Sequence, residues 1–123
     1  MIRIIIADDH PAVLQAIRQL LQEEFPSAHI EEASDTKTLV DKALKQPWDL
    51  VITDLAMPGE SGLSALKKIK QTKKKLPVII TSTYPAEQYQ ERVLRAGAQA
   101  FVAKDSLPGG LIEAIRNIFK AKK

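Results

Sequence analysis

Residues 2–9 read Ile2-Arg3-Ile4-Ile5-Ile6-Ala7-Asp8-Asp9, an apolar run that ends in two acidic residues. A second apolar run, Leu50-Val51-Ile52-Thr53, is followed directly by Asp54. Strands of a parallel sheet are buried on both faces and read as near-continuous apolar runs, and ligands bind beyond the carboxyl ends of such strands. The sequence therefore predicts that both acidic clusters lie along one edge of a parallel sheet.

Three carboxylates at one place imply a cation. Like charges packed together repel one another unless a cation joins them, and carboxylate oxygens are ligands that suit Mg2+, with Mn2+ as an alternative. Asp54 taken alone could simply cap the turn formed by the Pro58-Gly59 pair. Together with Asp8 and Asp9 it favours a divalent-metal site, where a carboxylate can also act as an oxygen nucleophile towards phosphorus.

Apolar runs and longer amphipathic stretches alternate five times along the chain, which is typical of βα units and predicts an α/β fold with a doubly wound, five-stranded parallel sheet. We expect strands at 2–7, 28–33, 49–53, 77–82 and 99–102, and helices at 11–24, 35–46, 61–72, 86–96 and 107–121. The fourth helix offers mainly Val93 and Leu94 for packing. Thin packing of this kind permits movement.

Composition bounds the class of protein. With 123 residues and 45% hydrophobic content, residues 1–123 form one domain with a real core. The absence of cysteine excludes disulfides and thiolate ligands. No apolar stretch reaches the roughly 18 residues that span a bilayer, so we expect a soluble, cytoplasmic protein without a membrane partner. The net charge of +3 comes largely from clustered lysines without interleaved aromatic residues, which favours a solvated surface over nucleic-acid binding.

Two further polar residues follow predicted strands. Ser82 closes the fourth apolar run and Lys104 follows the fifth, so both should lie on the acidic edge. Alone, each could be an ordinary loop or surface side chain. Beside three carboxylates, the lysine can balance their charge and later hold phosphate oxygens. His10 could be a metal ligand or a base, although its loop position favours simple solvent exposure.

These residues, in this order, resemble the receiver domain of two-component response regulators. The shared motifs are an acidic pair after strand one, Asp-x-x-Met-Pro-Gly-x-x-Gly from Asp54, a hydroxyl after strand four and a lysine after strand five. The resemblance implies a flavodoxin-like (βα)5 fold with strand order 2-1-3-4-5. It also implies that a sensor histidine kinase is the phosphodonor and that Asp54 is the phosphoacceptor.

The resemblance assigns the other site residues as well. Asp8, Asp9, Asp54 and the Ala56 carbonyl would form the Mg2+ site, with Asp8 acting through water. Ser82 and Lys104 would hold the phosphoryl group, and Ser82, Thr83 and Phe101 would form the switch. Phe101 stands where many relatives carry tyrosine, so only its packing could report the switch.

Asp9-His10-Pro11 and Lys104-Asp105 resemble the NarL/LuxR-type subfamily, whose receivers usually precede a helix-turn-helix domain. Transcriptional control, with DNA bound only through such a C-terminal domain absent from this chain, is therefore the expected output. A stand-alone receiver that acts through protein contacts is the alternative. Many other receivers carry Lys-Pro at this position, so the sequence does not determine the backbone geometry of the loop after Lys104.

Other functional classes fit less well. An aspartyl-nucleophile phosphatase of the haloacid dehalogenase kind would need an acidic residue two positions after Asp54, where this chain has Ala56. No Gly-x-Gly-x-x-Gly motif follows the first strand, which disfavours nucleotide binding. In the fifth helix, Leu111, Ile115 and Ile118 should be core. Ile112 and Phe119 could either flank the core or form the surface of a dimer that phosphorylation promotes.

Overall fold

A computed structural model describes residues 1–57, 59 and 61–121, apart from the side chain of Ala86. Five strands are present in this part of the chain: β1 (Arg3–Ala7), β2 (His29–Ala33), β3 (Leu50–Asp54), β4 (Val78–Ser82) and β5 (Ala100–Ala103). They alternate with five α-helices: α1 (Pro11–Glu24), α2 (Thr36–Lys45), α3 (Gly62–Thr72), α4 (Ala86–Arg95) and α5 (Ile112–Ala121). The predicted alternation is confirmed.

All strand pairs are parallel, and the order across the sheet is β2-β1-β3-β4-β5. This confirms the expected doubly wound topology. The register places Ala7 opposite Thr53, Asp54 opposite Thr81, and Ser82 opposite Ala103. The strands therefore end together at one edge, and the loops that follow them share that edge.

The core consists of two apolar layers, one on each face of the sheet. Ile5 points into the layer covered by α2, α3 and α4, whereas Ile4 and Ile6 point into the layer covered by α1 and α5. These three isoleucines are fully buried. Because a strand covered on both faces has no solvated side, β1 reads as a continuous apolar run rather than an alternating one. No helix among the described residues is long and apolar enough to cross a membrane.

Helix α4 packs on the sheet through few side chains. Val93 is fully buried, but Leu94, which the sequence suggested as a second packing residue, is 40% exposed. Adjacent helical residues point about 100° apart, so a helix that buries Val93 on a narrow face turns Leu94 towards solvent. The prediction for Leu94 was wrong, and thin packing of α4 is confirmed.

The segment after β5 differs from the helix predicted to start at residue 107. A 3-10 turn (Lys104–Ser106) and a π-helical turn (Leu107–Leu111) come first, and the α-helix begins only at Ile112. Pro108 lacks a backbone N–H and Gly109 and Gly110 are poor helix formers, which explains the irregular turn. All peptide bonds of the described residues are trans, including the one between Lys104 and Asp105.

Two of the clustered lysines in the segment 67–75 form hydrogen bonds with backbone carbonyls. Lys70 Nζ donates to the Leu76 carbonyl and Lys73 Nζ donates to the Gln46 carbonyl, each at 2.6 Å. Burial lowers the pKa of Lys70. These contacts hold the C-terminal end of α3 against its neighbours and support a structural role for this part of the cluster.

Gly62 is predicted to be essential for the loop after β3. A Cβ atom at this position would lie 2.2 Å from the Asp54 carbonyl oxygen and 2.9 Å from Leu55 Cα, so backbone would have to move. We expect Gly62→Ala to lower the free energy of unfolding by about 1–3 kcal/mol, as overpacking does. Urea denaturation would measure this. At Gly109 an added Cβ meets nothing within 4 Å, and Gly109→Ala is the matched control. Equal stability of the two variants would contradict the steric argument.

Candidate functional site

The ends of β1, β3 and β5 bring two carboxylates and one ammonium group together. Lys104 Nζ lies 2.8 Å from Asp8 Oδ2 and 3.1 Å from Asp54 Oδ2. Asp8 is fully buried and Asp54 is 4% exposed. The structure thus brings together three of the residues that the sequence assigned to one edge. One ammonium against two carboxylates leaves the buried cluster with a residual negative charge.

Asp9 completes the acidic cluster from the more exposed side. One carboxylate oxygen each from Asp8, Asp9 and Asp54, together with a ring nitrogen of His10, lie within 4.8 Å of one another. The Ala56 backbone N–H also acts on the site, since it lowers the pKa of the Asp54 carboxylate. The prediction of a common acidic site at this edge is confirmed, whereas the role of the Ala56 carbonyl as a ligand stays a prediction.

Asp8 provides the test of whether a cation fits. Its Oδ1 atom accepts a hydrogen bond of 2.9 Å from the His10 backbone N–H. Its Oδ2 atom is buried and is paired with the Lys104 ammonium at 2.8 Å, without a hydrogen bond of good geometry. A carboxylate oxygen can accept more than one hydrogen bond, so Oδ2 is left under-satisfied for a buried atom. The oxygen-rich donor set and this under-satisfied atom fit Mg2+ with its bound water, and Asp8, Asp9 and Asp54 would hold the ion.

The pKa values of Asp54 and Lys104 are both raised, and each residue affects the pKa of the other. Burial raises the pKa of Asp54, and the Asp8 charge adds to this effect, while Lys104 and the Ala56 N–H oppose it without cancelling it. Burial alone would lower the pKa of Lys104, but the close contacts and charges of Asp8 and Asp54 outweigh burial and raise it. Lys104 is therefore firmly protonated at neutral pH.

The predicted switch residues lie on β4, on β5 and in the loop after β4, with different exposures. Ser82 is buried at the end of β4, and its Oγ accepts a hydrogen bond of 2.8 Å from the Tyr84 N–H. Thr83 is exposed. Phe101 is half-buried on β5 and packs against the layer that also contains Val93. Tyr84 is 45% exposed, and its ring centroid lies 5.2 Å from that of Tyr89 on α4. A chain of contacts thus runs from the end of β4 to α4.

The sequence left one contribution to the site open and did not identify another. His10 is exposed, as its loop position indicated, and it also joins the acidic cluster, which agrees with the alternative of a metal ligand or a base. Thr53 and Thr81 are both fully buried. The Thr53 hydroxyl donates to the Asp54 carbonyl at 3.1 Å, and the Thr81 hydroxyl donates to the Thr53 carbonyl at 3.4 Å. These hydroxyls satisfy backbone groups below the loop.

The candidate dimer surface on α5 is only partly exposed. Leu111 and Ile115 are buried as predicted, whereas Ile118, also expected in the core, is half-buried. Ile112 and Phe119 are half-buried too, and the Phe119 ring meets the Phe25 ring edge-on with centroids 6.0 Å apart. Ile112 and Phe119 therefore flank the core, and each keeps part of its side chain at the surface.

Comparisons with known proteins match this architecture. The family model of the response regulator receiver domain matches residues 4–116. The nitrate/nitrite response regulator protein NarP of Escherichia coli is 34% identical over 121 residues, which cover 98% of this chain and 56% of NarP. The chain thus spans little more than half the length of that relative.

Solved structures of response regulators have the same fold as this chain. RcsB of Salmonella typhimurium, a response regulator studied for DNA interaction, has a TM-score of 0.88 and 32% identity over 99% of this chain and 61% of its own. A structure of two RcsB dimers bound to two parallel DNAs gives a TM-score of 0.88 and 32% identity, covering 99% and 62% of the chains. The response regulator TrrA of Thermotoga maritima, in complex with Mg(2+)-BeF, has a TM-score of 0.86 and 30% identity, covering 96% of this chain and 99% of TrrA.

The raised pKa of Asp54 predicts a stability gain on removing its charge. Folded Asp54 keeps its proton to higher pH than unfolded Asp54, so the folded state binds more protons between the two pKa values and loses stability as pH rises through that window. Asp54→Asn should therefore unfold at higher urea concentration than the wild type at pH 7. The difference should disappear as pH falls to the ordinary value of 3.8.

The control for this experiment is Asp35, which caps α2 by accepting a 2.7 Å hydrogen bond from the Thr38 N–H. The Thr38 contacts lower the pKa of Asp35, so its charge stabilises the folded state above that pKa, and Asp35→Asn should not be stabilising at pH 7. Urea denaturation from pH 3 to 7 would measure both. Loss of stability in Asp54→Asn at pH 7 would contradict the burial argument.

Proposed function

This chain belongs to the response regulator receiver family, and from this premise we propose that it accepts a phosphoryl group on Asp54 from a sensor histidine kinase. One observation carries the proposal: Asp54 is a nearly buried carboxylate held by Lys104 beside Asp8, at the common edge of β1, β3 and β5. A carboxylate fixed in this way can be the nucleophile, and its neighbours supply the charge balance that phosphoryl transfer requires.

In the proposed reaction, an Asp54 carboxylate oxygen attacks the phosphorus of a phosphohistidine in line with the leaving group. The P–N bond breaks, and the imidazole leaves with the bonding electrons. The Lys104 ammonium is within reach of the Asp54 oxygens and offsets the charge on the transferred group. Mg2+, when bound at the acidic site, would neutralise phosphoryl oxygens in the same way. Positioning and electrostatics supply most of the catalysis.

The aspartyl-phosphate is proposed to act as a signal rather than as an intermediate of an efficient phosphatase. Ala56 lies two residues after Asp54 and carries no acid group that could protonate a leaving alcohol. The chain therefore lacks a general acid at the position where haloacid dehalogenase-type enzymes place one. We assign it as a phosphoacceptor switch that catalyses its own phosphorylation and dephosphorylation.

The switch is proposed to run from Ser82 to α4. A phosphoryl oxygen on Asp54 would recruit the Ser82 hydroxyl, which now accepts from the Tyr84 N–H. Movement of the loop with Thr83 and Tyr84 would open space for the half-buried Phe101. Helix α4 can follow at low cost, because Val93 is the one fully buried side chain described in it.

The output is proposed to be control of transcription in the cytoplasm, by a helix-turn-helix domain connected to this receiver. NarP and RcsB are response regulators, and each is similar to nearly the whole of this chain. RcsB binds DNA as dimers. DNA contact would belong to the connected domain, and dimer formation would be promoted by phosphorylation.

The assignment of Asp54 predicts metal-dependent labelling by a small phosphodonor. With acetyl phosphate and Mg2+ or Mn2+, the intact mass of the protein should increase by one phosphoryl group, because a cation must offset repulsion between the carboxylates and the phosphate oxygens. Excess EDTA should abolish the increase.

Two variants make this test specific. Asp54→Asn should not be labelled, whereas Asp35→Asn, which removes a carboxylate from the N-terminus of α2, should be labelled like the wild type. A labelled Asp54→Asn protein, or full labelling in EDTA, would refute the site assignment.

Helix α5 is the proposed surface for dimerisation. Ile112 is half-buried next to the turn that follows β5, so a charge there should weaken self-association while leaving the buried Leu111 and Ile115 in place. We expect beryllofluoride to shift wild-type protein towards dimer in sedimentation velocity, and Ile112→Glu to prevent the shift. Glu113→Gln, at an exposed neighbouring position, is the control. Monomeric wild type in both states, or an unaffected Ile112→Glu dimer, would exclude this surface.

A further inference from the structure

His10 lies close to two oxygens of the acidic site. Its Nδ1 atom is 2.9 Å from Asp8 Oδ1 and 3.1 Å from Asp9 Oδ1. The same nitrogen belongs to the group of four ligand atoms, with Asp54, that lie within 4.8 Å of one another. The imidazole therefore faces into the acidic cluster rather than away from it.

The separations of His10 Nδ1 from the Asp8 and Asp9 oxygens, 2.9 Å and 3.1 Å, match those between neighbouring ligands of one metal ion. With metal–ligand distances of about 2.1 Å, neighbouring corners of an octahedron are about 3.0 Å apart and opposite corners about 4.2 Å apart. A single N–H at Nδ1 can be directed well at one acceptor, yet two carboxylate oxygens lie at nearly equal distance. Asp8 Oδ1 also already accepts a hydrogen bond from the His10 backbone N–H.

The burial of Asp8 determines how it can bind a cation. Asp8 is fully buried, and its Oδ2 atom is paired with the Lys104 ammonium at 2.8 Å, although it has no hydrogen bond of good geometry among the described residues. Both oxygens of this carboxylate are thus held in fixed directions, one towards His10 and one towards Lys104. A cation between Asp8, Asp9 and His10 would use the first of these directions.

We propose that His10 Nδ1 is a metal ligand of this site and that it shifts the metal preference from Mg2+ towards first-row transition-metal ions. Oxygen-only sites suit Mg2+, whereas imidazole suits ions such as Co2+ and Ni2+, which bind mixed nitrogen and oxygen sites more tightly than Mn2+ does. The inference rests on the proposed function, because it concerns the cation of the same acidic site. It adds one specificity-determining residue, whose ring is 64% exposed so that a proton on Nε2 can be solvated.

Substitution of His10 tests the metal site without disturbing α1, because the His10 side chain does not stabilise that helix. His10 is the N-cap residue of that helix, but its side chain forms no capping hydrogen bond, and Pro11 starts the helix regardless. His10→Ala should therefore fold. His29, the other histidine of the chain, lies at the opposite end of the sheet beside Glu31 and gives the matched control His29→Gln.

The experiment measures binding of Co2+ and of Mg2+ separately, by calorimetry at neutral pH without a phosphodonor. Loss of an outer-shell partner alone typically lowers metal affinity about 10- to 100-fold, so His10→Ala should bind Co2+ at least about tenfold more weakly. Its Mg2+ affinity should stay the same or increase, because the Asp8 and Asp9 oxygens are freed. Co2+ should also shift and broaden the His10 ring protons in the NMR spectrum of the wild type, and His29→Gln should behave as the wild type.

Equal loss of Co2+ and Mg2+ affinity in His10→Ala, unchanged Co2+ affinity, or unshifted His10 ring protons would each overturn the proposal. These outcomes are separate from those of the proposed function. Labelling of Asp54 with acetyl phosphate in Mg2+ tests phosphoacceptance in the wild type, whereas the ratio of Co2+ to Mg2+ affinity tests His10 alone.

Discussion

The site depends on two buried carboxylates that share one ammonium group. Asp8, Asp54 and Lys104 come from the ends of β1, β3 and β5, so no single loop could hold them at 2.8 Å and 3.1 Å. The strand order places β3 between β1 and β4, which brings these residues to one edge. Because two negative charges face one positive charge, the cluster favours cations, and the proposed transfer of a phosphoryl group would require one. The order of the strands thus determines which charged residues meet at the site.

One side of this site is firmly packed and the other is loosely packed. All residues of β3 and β4 are buried, the Thr53 and Thr81 hydroxyls bond to backbone carbonyls, and Gly62 fits against the Asp54 carbonyl without space for a Cβ. Helix α4, in contrast, relies on Val93. A chemical change at Asp54 should therefore leave β3 and β4 in place and be expressed in the loop after β4, in β5 and in α4.

The sequence was sufficient where one local signal determined the outcome. Apolar runs identified β1, β3 and β4, since both faces of the sheet are covered there, and the acidic residues that close β1 and β3 identified the site. The start of α5 was missed because Leu107 and Leu111 keep a helix-like spacing through a π-helical turn that Pro108, Gly109 and Gly110 make irregular. The partial burial of Phe119 depends on Phe25, which is distant in the chain. The direction of the His10 ring depends on the conformation of its side chain beside Asp8 and Asp9. Neither is encoded in local patterning.

The energies of the contacts limit how the proposed switch can work. The hydrogen bond between the Tyr84 N–H and Ser82 Oγ is worth about 0.5–1.5 kcal/mol, so exchanging it for a charge-assisted bond from Ser82 to a phosphoryl oxygen, worth about 1.5–3 kcal/mol, gains about 2.5 kcal/mol at most. A shift from 1:99 to 99:1 requires about 5.5 kcal/mol. Lys104, now held by Asp8 and Asp54, is a second group able to form charge-assisted hydrogen bonds of this strength with a phosphoryl oxygen. Complete switching must therefore combine rearrangement of Lys104 with that of Ser82, so that loss of either residue would leave a partial response.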